Sequence, residues 1–293
     1  MPQWTVIESL RLTLDDPLTA LRVRVVNGAV NVIGTEDTDA AARLEVSAVE
    51  GPPLVVTHED RTLTITYEDL HWKGFRSWLK PGGRQRSAVV TVTVPAGTDV
   101  QVAAVGATAT VSGIRGRTEV RGVTGDTTLA RLSGPVRAET VSGGLEAQAV
   151  TGDLHFTSVS GDLTVVDGSG SSVRAESVSG DMLVDVEPAA GGPTDIQLVT
   201  VSGEVAIRLP RRADARVEAN TTSGAVSNAF DGLRVGGTFG AKQITGTLGA
   251  GTGTLKATTV SGAIALLRRP DDTPAAPAPA GAAPDDVPSG KVL

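Results

Sequence analysis

The sequence contains no cysteine, which excludes disulfides, thiolate metal sites and cysteine nucleophiles and fits a reducing compartment. Aromatic residues make up only 3% of it, so any core must be narrow and filled by branched and small side chains. Lysine is scarce, 5 residues against 21 arginines, a ratio that reads as the codon bias of a GC-rich genome. A net charge of −7 speaks against broad nucleic-acid binding, because a phosphate-binding surface needs clustered positive charge. No apolar run approaches the length of a membrane span, and the start Met1-Pro2-Gln3-Trp4-Thr5-Val6-Ile7-Glu8 lacks the basic and apolar segments of a secretory signal. The expected location is the cytoplasm, with contact at the membrane periphery open.

What is abundant is small and β-branched. Hydrophobic residues reach 40% and glycine 35 residues, a composition that favours strands and tight turns over helices. From about residue 100 to 267 one motif recurs, an apolar residue, Ser or Thr, Gly and often an acid. It reads Val123-Thr124-Gly125-Asp126, Val141-Ser142-Gly143, Val159-Ser160-Gly161-Asp162, Val178-Ser179-Gly180-Asp181 and Val201-Ser202-Gly203-Glu204. Gly125, Gly134, Gly143, Gly152, Gly161 and Gly170 follow one another at intervals of nine, the length of a strand plus a turn.

Every second glycine gives Gly125, Gly143, Gly161, Gly180, Gly203, Gly224 and Gly246, separated by 18, 18, 19, 23, 21 and 22 residues. Two units per coil follow, in roughly seven or eight coils stacked about 4.8 Å apart. The fold class is therefore all-β, a parallel β-solenoid with its glycines at the corners, Gly134 and Gly152 among them. Alternation places Leu163 and Val165 inside and Thr164 outside. It is also expected to stack Val141, Val159, Val178 and Val201 as an inward column, with Asp162, Asp181, Glu204 and then Ala225 at one corner.

Residues 1–95 hold strand-like runs with less regular turns and read as an N-terminal β cap with the first coils, carrying a basic aromatic insertion at 68–86. Repeats then fill 96–268, and residues 269–293, rich in Pro and Ala, read as a disordered tail. An internal echo joins Val94-Pro95-Ala96-Gly97-Thr98-Asp99 to Leu209-Pro210-Arg211-Arg212-Ala213-Asp214, where proline ends one strand and Asp turns into the next.

These V-S-G-D units, the V-P-x-x-x-D joint and the piece Asn27-Gly28-Ala29-Val30-Asn31-Val32-Ile33-Gly34 resemble the bacterial putative-adhesin family of unknown function over roughly residues 20–268. The resemblance implies a single-stranded right-handed parallel β-helix related in shape to autotransporter-head and bactofilin-like domains, and it brings no catalytic residues.

Chemistry leaves few signals. Asp126, Asp153, Asp162 and Asp181 invite comparison with calcium-binding nonapeptide solenoids, but those use more glycines per unit, so these acids read as turn residues bonding their own backbone. His58, His71 and His155 lie in unlike contexts, and no G-x-S-x-G, H-E-x-x-H or G-x-x-x-x-G-K-[ST] motif occurs. Gly246 to Gly253 reads as a solenoid corner. No catalytic residue, metal or cofactor is assigned.

One stretch breaks the pattern. In a helix, Trp72, Phe75, Trp78 and Leu79 would share a face flanked by Lys73, Arg76 and Lys80. It is either a lid over the N-terminal end or a contact for a protein, a surface or an anionic membrane. The function expected is that of a non-enzymatic interaction or scaffold module. Self-assembly into a bactofilin-like filament is the alternative, and a polysaccharide-active enzyme or calcium-binding solenoid is a weaker one.

Overall fold

The computed structural model describes residues 2–37, 41–67, 86–170, 172–187, 193, 195–238 and 240–270. Among these residues there are 26 strands and no helix. The first are β1 (Gln3–Val6), β2 (Leu10–Leu14), β3 (Ala20–Val25), β4 (Asn27–Thr35), β5 (Ala42–Glu50), β6 (Leu54–Glu59), β7 (Thr62–Tyr67) and β8 (Ser87–Pro95). The middle comprises β9 (Asp99–Ala104), β10 (Thr108–Ser112), β11 (Thr118–Arg121), β12 (Thr127–Ala130), β13 (Val136–Glu139), β14 (Leu145–Gln148), β15 (Leu154–Thr157), β16 (Leu163–Gly168), β17 (Ser172–Glu176), β18 (Met182–Val186), β19 (Asp195–Val199) and β20 (Val205–Leu209). Last come β21 (Ala215–Thr221), β22 (Val226–Asn228), β23 (Leu233–Thr238), β24 (Ala241–Leu248), β25 (Thr254–Thr259) and β26 (Ile264–Arg268).

Two sheets face one another across a narrow core, and each coil contributes one strand to each. The first sheet runs β1-β6-β7-β3-β9-β11-β13-β15-β17-β19-β25-β21-β24-β23, the second β2-β5-β8-β4-β10-β12-β14-β16-β18-β20-β26-β22. From β7 to β21 and from β8 to β22 neighbours are parallel, ten levels in each sheet. The stack is thus a β-solenoid taller than the seven or eight coils expected, since residues before 95 pair in the same parallel register. Antiparallel strands close it, β6 with β1 and β5 with β2 at one end, β24 with β23 at the other.

Inward positions form ladders of like level. Val111, Leu129, Ala147, Val165, Val184, Ile207 and Leu266 are paired in succession along the second sheet. In the first sheet Phe156 lies between Ala138 and Ala175 and is fully buried. A ring fits only where its neighbours above and below are small, which is why aromatics are so few.

The chain does not climb level by level throughout. After β8, whose second-sheet neighbour is β4, the chain enters β9, which pairs with β3, so the β3/β4 coil lies between the β7/β8 and β9/β10 coils. After β20 it enters β21, leaving a level that the later β25 and β26 fill between β19/β20 and β21/β22. Both skips use the V-P-x-x-x-D joint: Thr98 N–H donates to Pro95 O at 3.0 Å and Ala213 N–H to Pro210 O at 3.1 Å. The internal echo is therefore the connection that spans a skipped coil.

The insertion overturns part of the coil arithmetic. Above Val201-Ser202-Gly203-Glu204 stands Val260-Ser261-Gly262-Ala263, and Thr222-Ser223-Gly224-Ala225 comes one level higher, so Ala263 and not Ala225 follows Glu204. Gly246 lies within antiparallel β24, and the run to Gly253 turns back toward β25 rather than forming a repeat corner. Arg269 fastens the inserted coil: it donates to Asp185 at 2.6 Å and pairs with Glu187, while Arg208 reaches the other Asp185 oxygen at 3.3 Å. Burial opposes the Arg269 charge, but Asp185, Glu187 and Asp167 together raise its pKa.

Candidate functional site

The corner built by the repeat decides which side chains reach the surface. Val141, Val159, Val178, Val201 and Val260 are 39 to 50% exposed, so the column expected inside lies outside. The residue before the valine is the buried one at Ser158, Ser177, Thr200 and Thr259. Ser158 Oγ accepts from Gly161 N–H at 2.6 Å, and Ser177, Thr200 and Thr259 do the same for Gly180, Gly203 and Gly262. Turning that hydroxyl outward would leave a buried amide without an acceptor, which costs more than exposing half a valine. Each following serine donates to the valine carbonyl one coil earlier, Ser160 to Val141 at 3.3 Å for example.

Glycine is required by crowding. A Cβ on Gly180 would lie 2.0 Å from Gly161 O, and one on Gly143, Gly161 or Gly203 would meet the glycine carbonyl of the preceding coil at 1.9 to 2.1 Å. The same contact links Gly125 to Ala107, Gly224 to Gly262, and, at the opposite corner, Gly134 to Gly116 and Gly152 to Gly134. The left-handed position is taken instead by Arg131, Ala149 and Asp167, with φ of 53°, 51° and 52°.

The acids also differ from expectation. Asp162 accepts from the Asp181 amide at 2.9 Å, Asp181 from the Glu204 amide at 2.7 Å and Asp126 from the Gly144 amide at 2.9 Å. Each clamps the next coil instead of its own turn. Asp99 and Asp195 do likewise for the amides of Arg117 and Thr254, whereas Asp214 accepts from the Thr252 amide of the inserted coil beneath it, a bond that in particular lowers the Asp214 pKa.

The remaining feature is a groove of about 700 Å³ along the outer face of the first sheet. Pairing sets Arg137, His155, Arg174, Gln197 and Lys256 side by side on β13, β15, β17, β19 and β25, a row spanning about 19 Å at 4.8 Å per coil. A second row, two residues earlier on each level and so on the same outer face, runs Pro135, Asp153, Ser172, Asp195 and Thr254, with Arg117 one level before it. Arg137 is held by Glu139 at 2.7 Å. Arg117, Arg174 and Lys256 make no ion pair among the described residues. Lys256 joins the row only because β25 is inserted beside β19.

His155 faces this groove and Phe156 the core, as alternation requires, whereas His58 is buried far off beside Asp16. The sequence reading missed the groove, although Arg137, His155 and Arg174, separated by 18 and 19, repeat at the coil period. Trp72, Lys73, Phe75, Arg76, Trp78, Leu79 and Lys80 lie outside the described residues.

Among curated proteins none matches the chain. Solved structures similar to it include a putative adhesin from Parabacteroides merdae (10% identity, 88% of this chain and 95% of that one, TM-score 0.41). A putative cell adhesion protein from Clostridium sporogenes is similar at 9% identity over 89% and 99% of the two chains, with a TM-score of 0.29. A putative adhesin from Parabacteroides distasonis is similar at 13% identity over 88% and 96%, with a TM-score of 0.30. The family evidence is the repeat-bearing stretch itself: the Toastrack DUF4097 family model matches residues 18–267, and the chain belongs to that family.

Proposed function

We propose that the chain is a non-catalytic interaction module whose stiff outer face, the groove of the first sheet, engages a ligand. The observation that carries this reading is the row Arg137, His155, Arg174, Gln197 and Lys256, fixed by backbone pairing on five successive levels with two of its cations unpaired among the described residues. Side chains on strands are held more precisely than on loops, so such a face recognises by position rather than by closing.

An enzymatic reading fits less well. The groove acids Asp153 and Asp195 sit two levels apart, about 9.6 Å, beyond the separation of a retaining glycosidase pair and at the upper limit for an inverting one. End-to-end assembly needs matching bare coils, and the unlike antiparallel strands at the two ends speak for a capped single unit. The test passes purified full-length protein over anionic, neutral and cationic polymer supports. Salt-reversible retention on anionic polymer, with the polymer recovered at its original length, is the expected result. Shortened polymer would reassign the protein as an enzyme, and absence of retention would remove the groove from its function.

A further inference from the structure

We propose that the groove on the first sheet binds a linear acidic polysaccharide lying along the solenoid axis, one sugar per coil; this rests on the interaction-module reading above. The groove is elongated and periodic, so its occupant is a polymer with a repeat near the coil step. A pyranose ring spans about that step. The Arg174 guanidinium can grip a carboxylate with two donors and Lys256 can meet another as a point charge.

The other groups distinguish between polyanions. Asp153 and Asp195 lie among the cations, and Ser172, Thr254, Gln197 and His155 complete the lining. Carboxylates here would repel a chain of bare phosphates but accept hydrogen bonds from hydroxyl donors, which a sugar acid presents beside each of its charges. Single-stranded nucleic acid is further disfavoured because no Phe, Tyr or Trp lines the groove as a stacking platform for successive bases, and the net charge of −7 opposes dense phosphate.

The probe is a size series of fluorescent oligogalacturonates titrated onto the full chain at low salt. Affinity should rise with length to roughly five sugars, the number of levels from Arg137 to Lys256, and then level off. Arg174→Glu with Lys256→Glu should weaken binding at least tenfold. The same charge change placed elsewhere, Arg131→Glu with Arg234→Glu, should not. Unchanged thermal melting in both double variants excludes misfolding as the cause.

Equal affinity for the neutral oligosaccharide, no dependence on length or indifference to the groove variant would each overturn the proposal. Single-stranded DNA or anionic vesicles binding through the groove where oligogalacturonate does not would overturn it while leaving the interaction-module reading in place. Failure of every polyanion would overturn both.

Discussion

The middle coils and the two spliced ends are built from the same corner but by different routes. Between β11 and β13 each residue pairs with one 18 positions on, Thr118 with Val136. At the splices Ala20 pairs with Asp99 and Asp195 with Thr254, separations that carry a larger loop-closure cost and slow folding. The middle propagates locally, as solenoids do. The ends require the chain to leave a level open and fill it from elsewhere, which ties each cap to the stack by side-by-side backbone pairing instead of mere succession.

The sharpest break of that comparison is to end the chain at Gly253. This removes β25 and β26, and with them the buried Leu255, Ile264 and Leu266, about 5 kcal/mol of apolar burial. Amide exchange should lose protection across 215–248 while the coils through β18 keep theirs. Retained protection would mean that β21 can dock on β19 without the splice.

Second is a contrast between glycines. Gly180→Ala, with its Cβ 2.0 Å from a carbonyl, should cost about 3 kcal/mol or more in urea titration. Gly97→Ala in the N-terminal joint, where nothing lies within 4 Å, should stay within about 0.5 kcal/mol of wild type. Next, Thr200→Val leaves the Gly203 amide without its acceptor at 3.2 Å and should cost about 2 kcal/mol by the same titration, with Thr200→Ser recovering most of the loss.

A gain of up to about 1 kcal/mol is expected for Ala149→Gly, since Ala149 holds φ at 51°; a loss would show that its methyl contacts outweigh the backbone term. The smallest effect belongs to Val159→Asp. With the valine 50% exposed, its melting temperature should stay within a degree or two of wild type, about 0.5 kcal/mol.

Much of the middle was legible. The nine-residue spacing of Gly125 to Gly170 and the alternation of Leu163, Thr164 and Val165 follow from strand periodicity. The valine before each Ser-Gly was misplaced because hydropathy ranks valine above serine, while the buried hydroxyl of Ser158 or Thr200 has a hydrogen-bonding duty that hydropathy does not record. The groove escaped because its residues look like scattered surface charges until the sheet register aligns them.

By itself the sequence determined that this chain stacks short strands on glycine corners, since a period of nine with alternating apolar residues can bury its core in no other economical way. Only the tertiary structure decided the order of the stack. Nothing in residues 254–268 distinguishes a last coil from an inserted one, because every level offers the same backbone donors and acceptors. The joint at Pro210, by carrying β21 one level too far, creates the vacancy that β25 fills, and only there does Lys256 come to stand in line with Arg174.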